Sequence, residues 1–193
     1  MNKVFAIRND AYKFPELDLE VDDIIESMPA SLEEDTVLDF SINNYAMLSW
    51  WPMPDTEFRG IGDESFTEVP DLSKWIDSTL VLSPKAHRIL GELLKEYGEL
   101  LPITVKSERF YIFNCLTFGR VKEEFCEKSY YEGSEIGIKK IVFDDADIQE
   151  KLVFKTRYNA CFEMYCGEKP KEIIESFKLT GVSFSDSLVQ DLN

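Results

Sequence analysis

The alternation of apolar and polar positions is clearest in the middle of the chain. A short apolar run at 80–82 predicts a buried strand, and Ser83 offers a side-chain oxygen suited to capping a helix. Pro84 suits the first helical position, where no amide donor is needed. Apolar residues then recur at intervals of three and four, which predicts a helix over 84–97 with one apolar face. Gly98 is expected to end this helix in the left-handed conformation.

Strand-like patterns outnumber helical ones in the rest of the chain. Short apolar segments predict strands at 3–7, 36–42, 100–105, 109–116, 139–143, 152–155 and 160–165, with a closing turn and strand over 179–184. The polar residues 106–108 between the strands at 100–105 and 109–116 suggest a hairpin. A helical turn is expected at 21–27, and apolar residues at helical spacing predict a second main helix at 169–178. The pattern therefore predicts the α+β class, with a mostly antiparallel sheet and two main helices, about 84–97 and 169–178, packed against it.

Two segments do not follow either period. Residues 48–55 combine two prolines with Trp50 and Trp51, which is typical of an irregular loop that carries large apolar groups. These tryptophans are either packed against the core or presented to a partner. Residues 123–137 are charged, aromatic and glycine-bearing, and are expected to form a long mobile excursion.

Charge changes this picture because it is uneven. The chain has 21 Lys and Arg against 37 Asp and Glu, a formal net charge of −16. Residues 1–79, an acidic and irregular region with few predicted strands, carry a net charge of −13, whereas the predicted core at 80–193 carries −3. Such a region repels nucleic acid and anionic membranes and speeds encounter with a basic partner. Solubility alone is the other explanation for the acidic residues.

The expected cellular compartment, and the expected redox state of the cysteines, rest on sequence signals that are missing. No run approaches the roughly 18 apolar residues of a membrane helix. The first ten residues lack the apolar segment and cleavage site of a signal peptide, so a cytoplasmic location is expected. The cysteines show no C-x-x-C spacing and are therefore expected to be reduced, mostly buried thiols: Cys115, Cys126, Cys161 and Cys166.

Candidate catalytic residues are few. His87 is the single histidine, which excludes most metal-ligand sets and paired Ser–His or Cys–His nucleophiles, and it is expected at a surface or boundary position. Asp144, Asp145 and Asp147 cluster after a predicted strand but lack the glycine and distal glutamate of a calcium loop, so a turn or helix cap is expected. We therefore expect no catalytic residue, metal or cofactor, although carboxylate pairs that meet only in the fold remain open.

The order of elements in the second part of the chain resembles a known family. The segments that carry the resemblance are Leu-Val-Leu-Ser at 80–83, the helix that follows, Glu-Leu-Leu-Pro-Ile-Thr-Val at 99–105, Phe-Tyr-Ile-Phe-Asn-Cys-Leu at 110–116, Ile-Lys-Lys-Ile-Val-Phe at 138–143, Leu-Val-Phe at 152–154, and a terminal helix running into Thr-Gly-Val-Ser-Phe at 180–184. Together they resemble immunity family eleven, small bacterial immunity proteins of polymorphic toxin systems. The resemblance covers about residues 80–185 and implies a protein encoded beside a delivered toxin that protects the producing cell by binding it. These motifs form the fold and transfer no catalytic residue.

The resemblance and the charge together suggest where a partner binds. Many delivered toxins act on nucleic acid and are basic, and complementary charge raises association rates. The cognate toxin is therefore expected to be basic and to face the acidic region, at Asp22, Asp23, Glu33, Glu34 and Asp35, with Trp50 and Trp51 as apolar anchors. Two other functions stay open: an adaptor that binds an unrelated protein, and an enzyme that reverses a toxin's damage. A binder protects in proportion to its amount, whereas an enzyme protects at trace levels.

Overall fold

The computed structural model describes residues 3–10, 13–60 and 68–189. Within these ranges the strands are β1 (Phe5–Asn9), β2 (Glu16–Asp18), β3 (Asp55–Arg59), β4 (Leu72–Ser73), β5 (Thr79–Leu82), β6 (Gly98–Val105), β7 (Glu108–Cys115), β8 (Glu127–Tyr131), β9 (Ser134–Lys140), β10 (Val153–Phe154), β11 (Met164–Cys166) and β12 (Val182–Ser185). The α-helices there are α1 (Val21–Ile25), α2 (Glu34–Leu38), α3 (Phe40–Asn43), α4 (Pro84–Leu94), α5 (Asp145–Ile148) and α6 (Glu168–Ser176). The α+β class with mostly antiparallel sheets is confirmed.

The larger sheet has the strand order β2-β3-β6-β7-β5-β4. Its centre is the predicted hairpin of β6 and β7, which pair without interruption from Gly98 opposite Cys115 to Val105 opposite Glu108. The two-residue turn between them, Lys106 and Ser107, has positive φ at both positions. That conformation matches the twist of antiparallel strands. All pairings in this sheet are antiparallel except the one between β3 and β6.

The smaller sheet joins the first strand to the last ones, in the order β10-β11-β1-β12. Strand β1 lies between β11 and β12 and pairs antiparallel with both. Phe5 and Ile7 of β1 are buried in one cluster with residues of β5, α4 and α6. The acidic region 1–79 and the region 80–193 therefore share this sheet and its core.

The larger sheet separates two apolar layers, because neighbouring side chains on a strand point to opposite faces. On one face, Leu80 and Leu82 pack with Leu90 of α4. On the other face, Val81 packs with Ile24 of α1 and Phe40 of α3. The three short N-terminal helices thus cover the face that lies opposite α4.

Helix α4 begins as predicted and ends differently. The Ser83 hydroxyl accepts a hydrogen bond from the Ala86 amide at 3.1 Å, and Pro84 is the first helical residue. The helix ends at Leu94, and Gly98 is the first residue of β6 rather than a left-handed cap. An added Cβ at Gly98 would overlap the backbone oxygen of Asn114 on β7. The prediction for Gly98 was wrong because close packing against a neighbouring strand, rather than helix termination, calls for glycine there.

The second main helix and the closing strand are confirmed, as α6 and β12. Between them Gly181 adopts φ +104°, and an added Cβ would overlap the Leu72 oxygen. The Leu72 amide donates to the oxygen of Thr180 at 2.9 Å, so this turn is tied to β4.

The predicted strand at 36–42 was wrong, since the segment forms α2 and α3. Its buried residues, Val37, Phe40 and Ser41, are spaced three and four apart and so share one helical face. The loose alternation in sequence comes from exposed Leu38 and Ile42, which are apolar residues outside that face.

The segment 123–137, expected to be a long mobile excursion, forms regular secondary structure. A 3₁₀ turn at Glu123–Phe125 leads into a hairpin of β8 and β9, whose turn residues Glu132 and Gly133 both have positive φ. Most of its side chains are exposed, so the apolar alternation that marks a half-buried strand is missing. The predicted strand at 139–143 overlaps β9 only to Lys140.

The predicted strand at 160–165 is shorter than expected. Ala160 and Cys161 both adopt the left-handed conformation, with φ of 50° and 62°, and β11 starts only at Met164. Strand β10 agrees with the prediction for 152–155. The third apolar cluster lies here, where the rings of Phe143, Phe154 and Tyr165 contact one another edge to face or stacked.

Candidate interaction surface

The predicted acidic residues lie on neighbouring elements at the protein surface. Helix α1 presents Asp22 and Asp23 to solvent while Ile24 is buried, and the Glu20 amide donates to Asp23 Oδ2 at 3.1 Å. Helix α2 likewise presents Glu34 and Asp35 to solvent, and Glu33 just before it is also exposed. Val37 of the same helix is buried. Helices α1 and α2 pack against each other.

The negative charge of this surface is uncompensated. From residue 14 to residue 58 the sequence contains Asp and Glu but no Lys or Arg. Arg59 pairs with Asp18 at 2.8 Å and with Glu57 at 3.1 Å, at the β2–β3 end of the segment. Within the described part of the chain, none of the five predicted acidic residues forms an ion pair.

Exposed apolar side chains accompany the acidic residues, and sequence reasoning missed them. Leu38, Ile42, Leu48 and Met53 lie on α2, α3 and the loop that follows, with between 38% and 52% of their surface exposed. In sequence they look like core positions, and only the helical geometry shows that they lie outside the buried face. We name α1, α2, α3 and the loop 44–54 together the acidic surface.

Trp50 and Trp51 are half-buried. They pack against the apolar cluster that also anchors α1 and α2, and the Trp51 indole N–H donates to the Pro102 oxygen at 2.8 Å. The Trp50 indole nitrogen is buried and has no hydrogen-bond partner in the part of the chain described. Both rings therefore contact the core, and their remaining surface belongs to the acidic surface.

A buried carboxylate fixes the loop that carries the tryptophans. Glu99 on β6 is 9% exposed and accepts hydrogen bonds from the Met47 amide at 2.7 Å and the Leu48 amide at 2.9 Å. The Asn114 side-chain amide donates to the same carboxylate at 2.9 Å. Three donors offset the cost of burying a carboxylate without a cation. Sequence reasoning missed Glu99, since an acidic residue at the start of a strand carries no distinguishing signal.

Two of the residues considered for catalysis make contacts that stabilise local structure, and the single histidine stacks on a tyrosine. His87 is half-buried on α4 and stacks on Tyr111 with ring centroids 3.8 Å apart, and its partial burial lowers the pKa of the imidazole. The Asp144 side chain accepts from the Ala146 amide and so caps α5, as predicted, and Asp147 pairs with Lys151 at 2.6 Å. Among the described residues, no group of three or more His, Cys, Asp or Glu side chains is arranged to hold a metal ion.

The cysteines are free thiols. Cys115, Cys161 and Cys166 are buried, and Cys126 is half-buried, in agreement with the prediction of mostly buried thiols. Burial raises the pKa of the Cys115 thiol to about 11 and that of the Cys166 thiol to about 12. Such thiols are poor nucleophiles near neutral pH.

Lys155 is fully buried beneath the acidic surface. Its ammonium donates to the Ser41 oxygen of α3 at 2.6 Å, while the Ser41 and Ser78 hydroxyls are hydrogen-bonded at 2.9 Å. Burial lowers the pKa of Lys155 below its usual value of 10.5. This contact ties the smaller sheet, directly after its edge strand β10, to the helices of the acidic surface.

Neither the models of known protein families nor the curated proteins match this sequence. In the described ranges, no helix has the length and apolar character needed to cross a membrane.

Proposed function

We propose that this protein is an immunity protein that binds and neutralises a cognate bacterial toxin, without catalysis and in the cytoplasm. The observation that carries the proposal is the acidic surface, where exposed carboxylates that form no ion pair within the described ranges lie on the same or neighbouring elements as exposed apolar side chains. A solvated surface that served only solubility needs no exposed Leu38, Ile42 or Leu48 beside the acids. The resemblance of residues 80–185 to immunity family eleven supports the same function.

The charge indicates the kind of partner. A basic protein would be attracted over several ångströms by the field of the acidic surface, and its apolar centre would be desolvated on contact. Toxins that act on nucleic acid meet the charge requirement, because they need a basic surface to bind their substrate. By covering that basic surface, the acidic surface would block access to the substrate.

A pull-down from native cells tests the proposal. We expect one basic polypeptide to copurify in equimolar amount, to be released as salt rises, and to kill cells when expressed alone. Protection should grow in proportion to the amount of this protein. Recovery of a harmless housekeeping protein would indicate an adaptor, and protection at trace amounts would indicate an enzyme; either result overturns the proposal.

A matched pair of variants locates the interface. In the first, the five predicted acidic residues become amides, at Asp22, Asp23, Glu33, Glu34 and Asp35. In the second, five exposed acidic residues elsewhere become amides, at Glu96, Glu108, Glu124, Glu132 and Glu172. Both lose the same net charge, so only the first should slow association, by about tenfold or more, and flatten its salt dependence. Equal effects would mean that net charge, rather than the acidic surface, governs binding.

A further inference from the structure

Helices α2 and α3 are joined by one residue and share an exposed side. The amide of the joining residue, Asp39, donates to the Asp35 oxygen at 3.1 Å, and its own oxygen accepts from the Asn43 amide at 2.9 Å. Hydrogen bonds between residues four apart therefore continue from one helix into the other. On such a segment, side chains four apart lie in rows along the same side.

Two of these rows are exposed next to each other. Leu38 and Ile42 form an apolar row, with 44% and 38% of their surface exposed. Asp35 and Asp39 form an acidic row beside it, and both side chains are exposed. Within the ranges that the structure describes, neither of these carboxylates makes an ion pair. We name these four residues the α2–α3 face.

The charge of this face favours a basic partner. No Lys or Arg occurs between residues 14 and 58, so the segment that contains the face supplies no cation to the acidic row. A second copy of this chain is a poor occupant, because two chains that each carry a net charge of −16 repel one another. A partner segment that carries lysine or arginine beside apolar residues is complementary to both rows.

The backbone of the face favours a helix as the partner's segment. An extended segment binds by pairing with free backbone groups, whereas the amides and oxygens inside a helix are already bonded to one another. A partner helix satisfies its own backbone and needs only side-chain contacts. Its side chains can pack into the grooves beside a row of residues four apart.

We propose that a basic amphipathic helix of the partner docks on the α2–α3 face. Apolar residues on one side of that helix would cover Leu38 and Ile42, and neighbouring lysine or arginine residues would pair with Asp35 and Asp39. The apolar row would supply most of the affinity, and the acidic row would orient the helix. For the partner's identity, a toxin, the inference rests on the proposed function; the docking of a helix does not.

A synthetic peptide tests the face independently of any toxin. The probe is a helical peptide of about 18 residues, made of leucine, alanine and lysine with the leucines three and four positions apart, titrated into the full chain labelled with ¹⁵N. We expect amide shifts centred on residues 34–43. A peptide of the same composition with its leucines spread around the helix should bind about tenfold more weakly or worse. No binding of the first peptide, equal binding of both, or shifts that leave out residues 34–43 would overturn the proposal.

Substitutions in the apolar row have a matched control. The first variant combines Leu38→Gln with Ile42→Gln, and the second combines Ile136→Gln with Phe177→Gln, at positions that are 48% and 55% exposed. All four side chains are exposed and the net charge is unchanged, so both variants should fold. The first should weaken peptide binding about tenfold or more, and the second should leave it unchanged. If the unmodified chain is instead a dimer that the first variant dissociates, the occupant is a second copy and the proposal is wrong.

Substitutions in the acidic row test the orientation of the helix. One variant combines Asp35→Asn with Asp39→Asn, and its control combines Glu108→Gln with Glu172→Gln at exposed positions elsewhere. Both variants lose the same net charge. Only the first should weaken peptide binding, by about threefold or more, and reduce its salt dependence. Equal effects would show that overall charge, rather than the acidic row, attracts the peptide, which would contradict the proposal.

The outcomes separate this proposal from the proposed function. If the variant with glutamine at positions 38 and 42 still neutralised a recovered toxin, and the peptide did not bind, the docking of a helix would be wrong and the immunity function would stand. Peptide docking on the α2–α3 face without recovery of any toxin would leave the docking of a helix standing and remove the function.

Discussion

Glu99 and Asn114 lie directly opposite each other on β6 and β7, and the Asn114 side chain donates to Glu99 Oε1 at 2.9 Å. The same carboxylate holds the amides of Met47 and Leu48. We expect Glu99→Gln to lower the free energy of unfolding by about 1–3 kcal/mol, because the new amide group cannot accept from all three donors. Urea denaturation measures this. Glu108→Gln, on the exposed end of β7, is the control and should change stability by less than about 0.5 kcal/mol. Equal stability of both variants would mean that the loop is held by packing alone.

The buried charge of Lys155 should lower the free energy of unfolding. Lys155→Met keeps the apolar stem and removes the buried cation, so its free energy of unfolding at pH 7 should equal or exceed that of the unmodified chain. Lys155→Ala should lose about 2–5 kcal/mol, because it leaves a cavity. Urea denaturation of both variants compares them. A Met variant as unstable as the Ala variant would show that the hydrogen bond to Ser41 outweighs the cost of burying the charge.

The pH dependence of this residue has a definite sign. The pKa of Lys155 is lowered in the folded chain from 10.5, so between the two values the unfolded chain holds a proton that the folded chain does not. The free energy of unfolding therefore rises with pH between the lowered pKa and 10.5. Below the lowered pKa the ammonium is charged in the folded chain, and the full free-energy cost of burying that charge remains. The difference between Lys155→Met and the unmodified chain should shrink from pH 7 to pH 10 in parallel urea titrations.

The acidic surface should reduce stability at low salt. The variant with amides at Asp22, Asp23, Glu33, Glu34 and Asp35 should unfold at an equal or higher temperature than the unmodified chain, since like charges repel. Added sodium chloride should narrow the difference, because screening weakens the repulsion. Calorimetry over a salt series measures both effects. A loss of more than about 2 kcal/mol of unfolding free energy would mean that the favourable position of these acids at helix N-termini, and the hydrogen bond from the Glu20 amide to Asp23, outweigh the repulsion.

Gly181 should tolerate no side chain. Gly181→Ala places a Cβ against the Leu72 oxygen at a φ of +104°, and we expect a loss of about 2 kcal/mol or more of unfolding free energy. Gly167→Ala is the control, because nothing lies within 4 Å of its added Cβ and its φ is ordinary. Thermal unfolding of the two variants, compared side by side, decides whether the 180–182 turn is as constrained as described.

One thiol should react before the others. Cys126 is half-buried, whereas Cys115, Cys161 and Cys166 are buried with raised pKa values. A disulfide reagent at pH 8 should therefore modify one thiol per folded chain rapidly and the remaining three only on unfolding. Cys126→Ser should abolish the fast phase. Two or more fast thiols in the unmodified chain would show that the core opens readily.

Elements defined by local chemistry could be predicted from sequence. Ser83 and Pro84 start α4 through contacts within one turn, and the β6–β7 hairpin follows from two apolar runs around a short polar turn. Gly98 could not be interpreted in this way, because the atom that calls for glycine belongs to Asn114 on another strand. The segment 36–42 was assigned the wrong period, because Leu38 and Ile42 are exposed apolar residues that blur the helical pattern.

For the candidate site, the sequence predicts the acidic character but not the contacts that hold the site together. The acidic residues are visible in sequence, and the structure brings them to α1 and the neighbouring start of α2. The buried positions of Glu99 and Lys155 depend on contacts between segments that are far apart in sequence. No local sequence pattern predicts those contacts. The tryptophans could be assigned to an irregular loop, but the donation of Trp51 to Pro102 could not be foreseen.

The position of β1 between β11 and β12 sets an order of events during synthesis. Residues 16–115 contain every strand of the larger sheet, so that sheet can assemble while translation continues. Phe5–Asn9 gains its first neighbour only after residues 164–166 have left the ribosome, and its second only after residues 182–185 have followed. Such distant pairing is slow to form, because a long loop must close first. We expect a nascent chain in which the acidic helices are already packed while the first strand is still an unpaired apolar segment, the state in which chaperones bind.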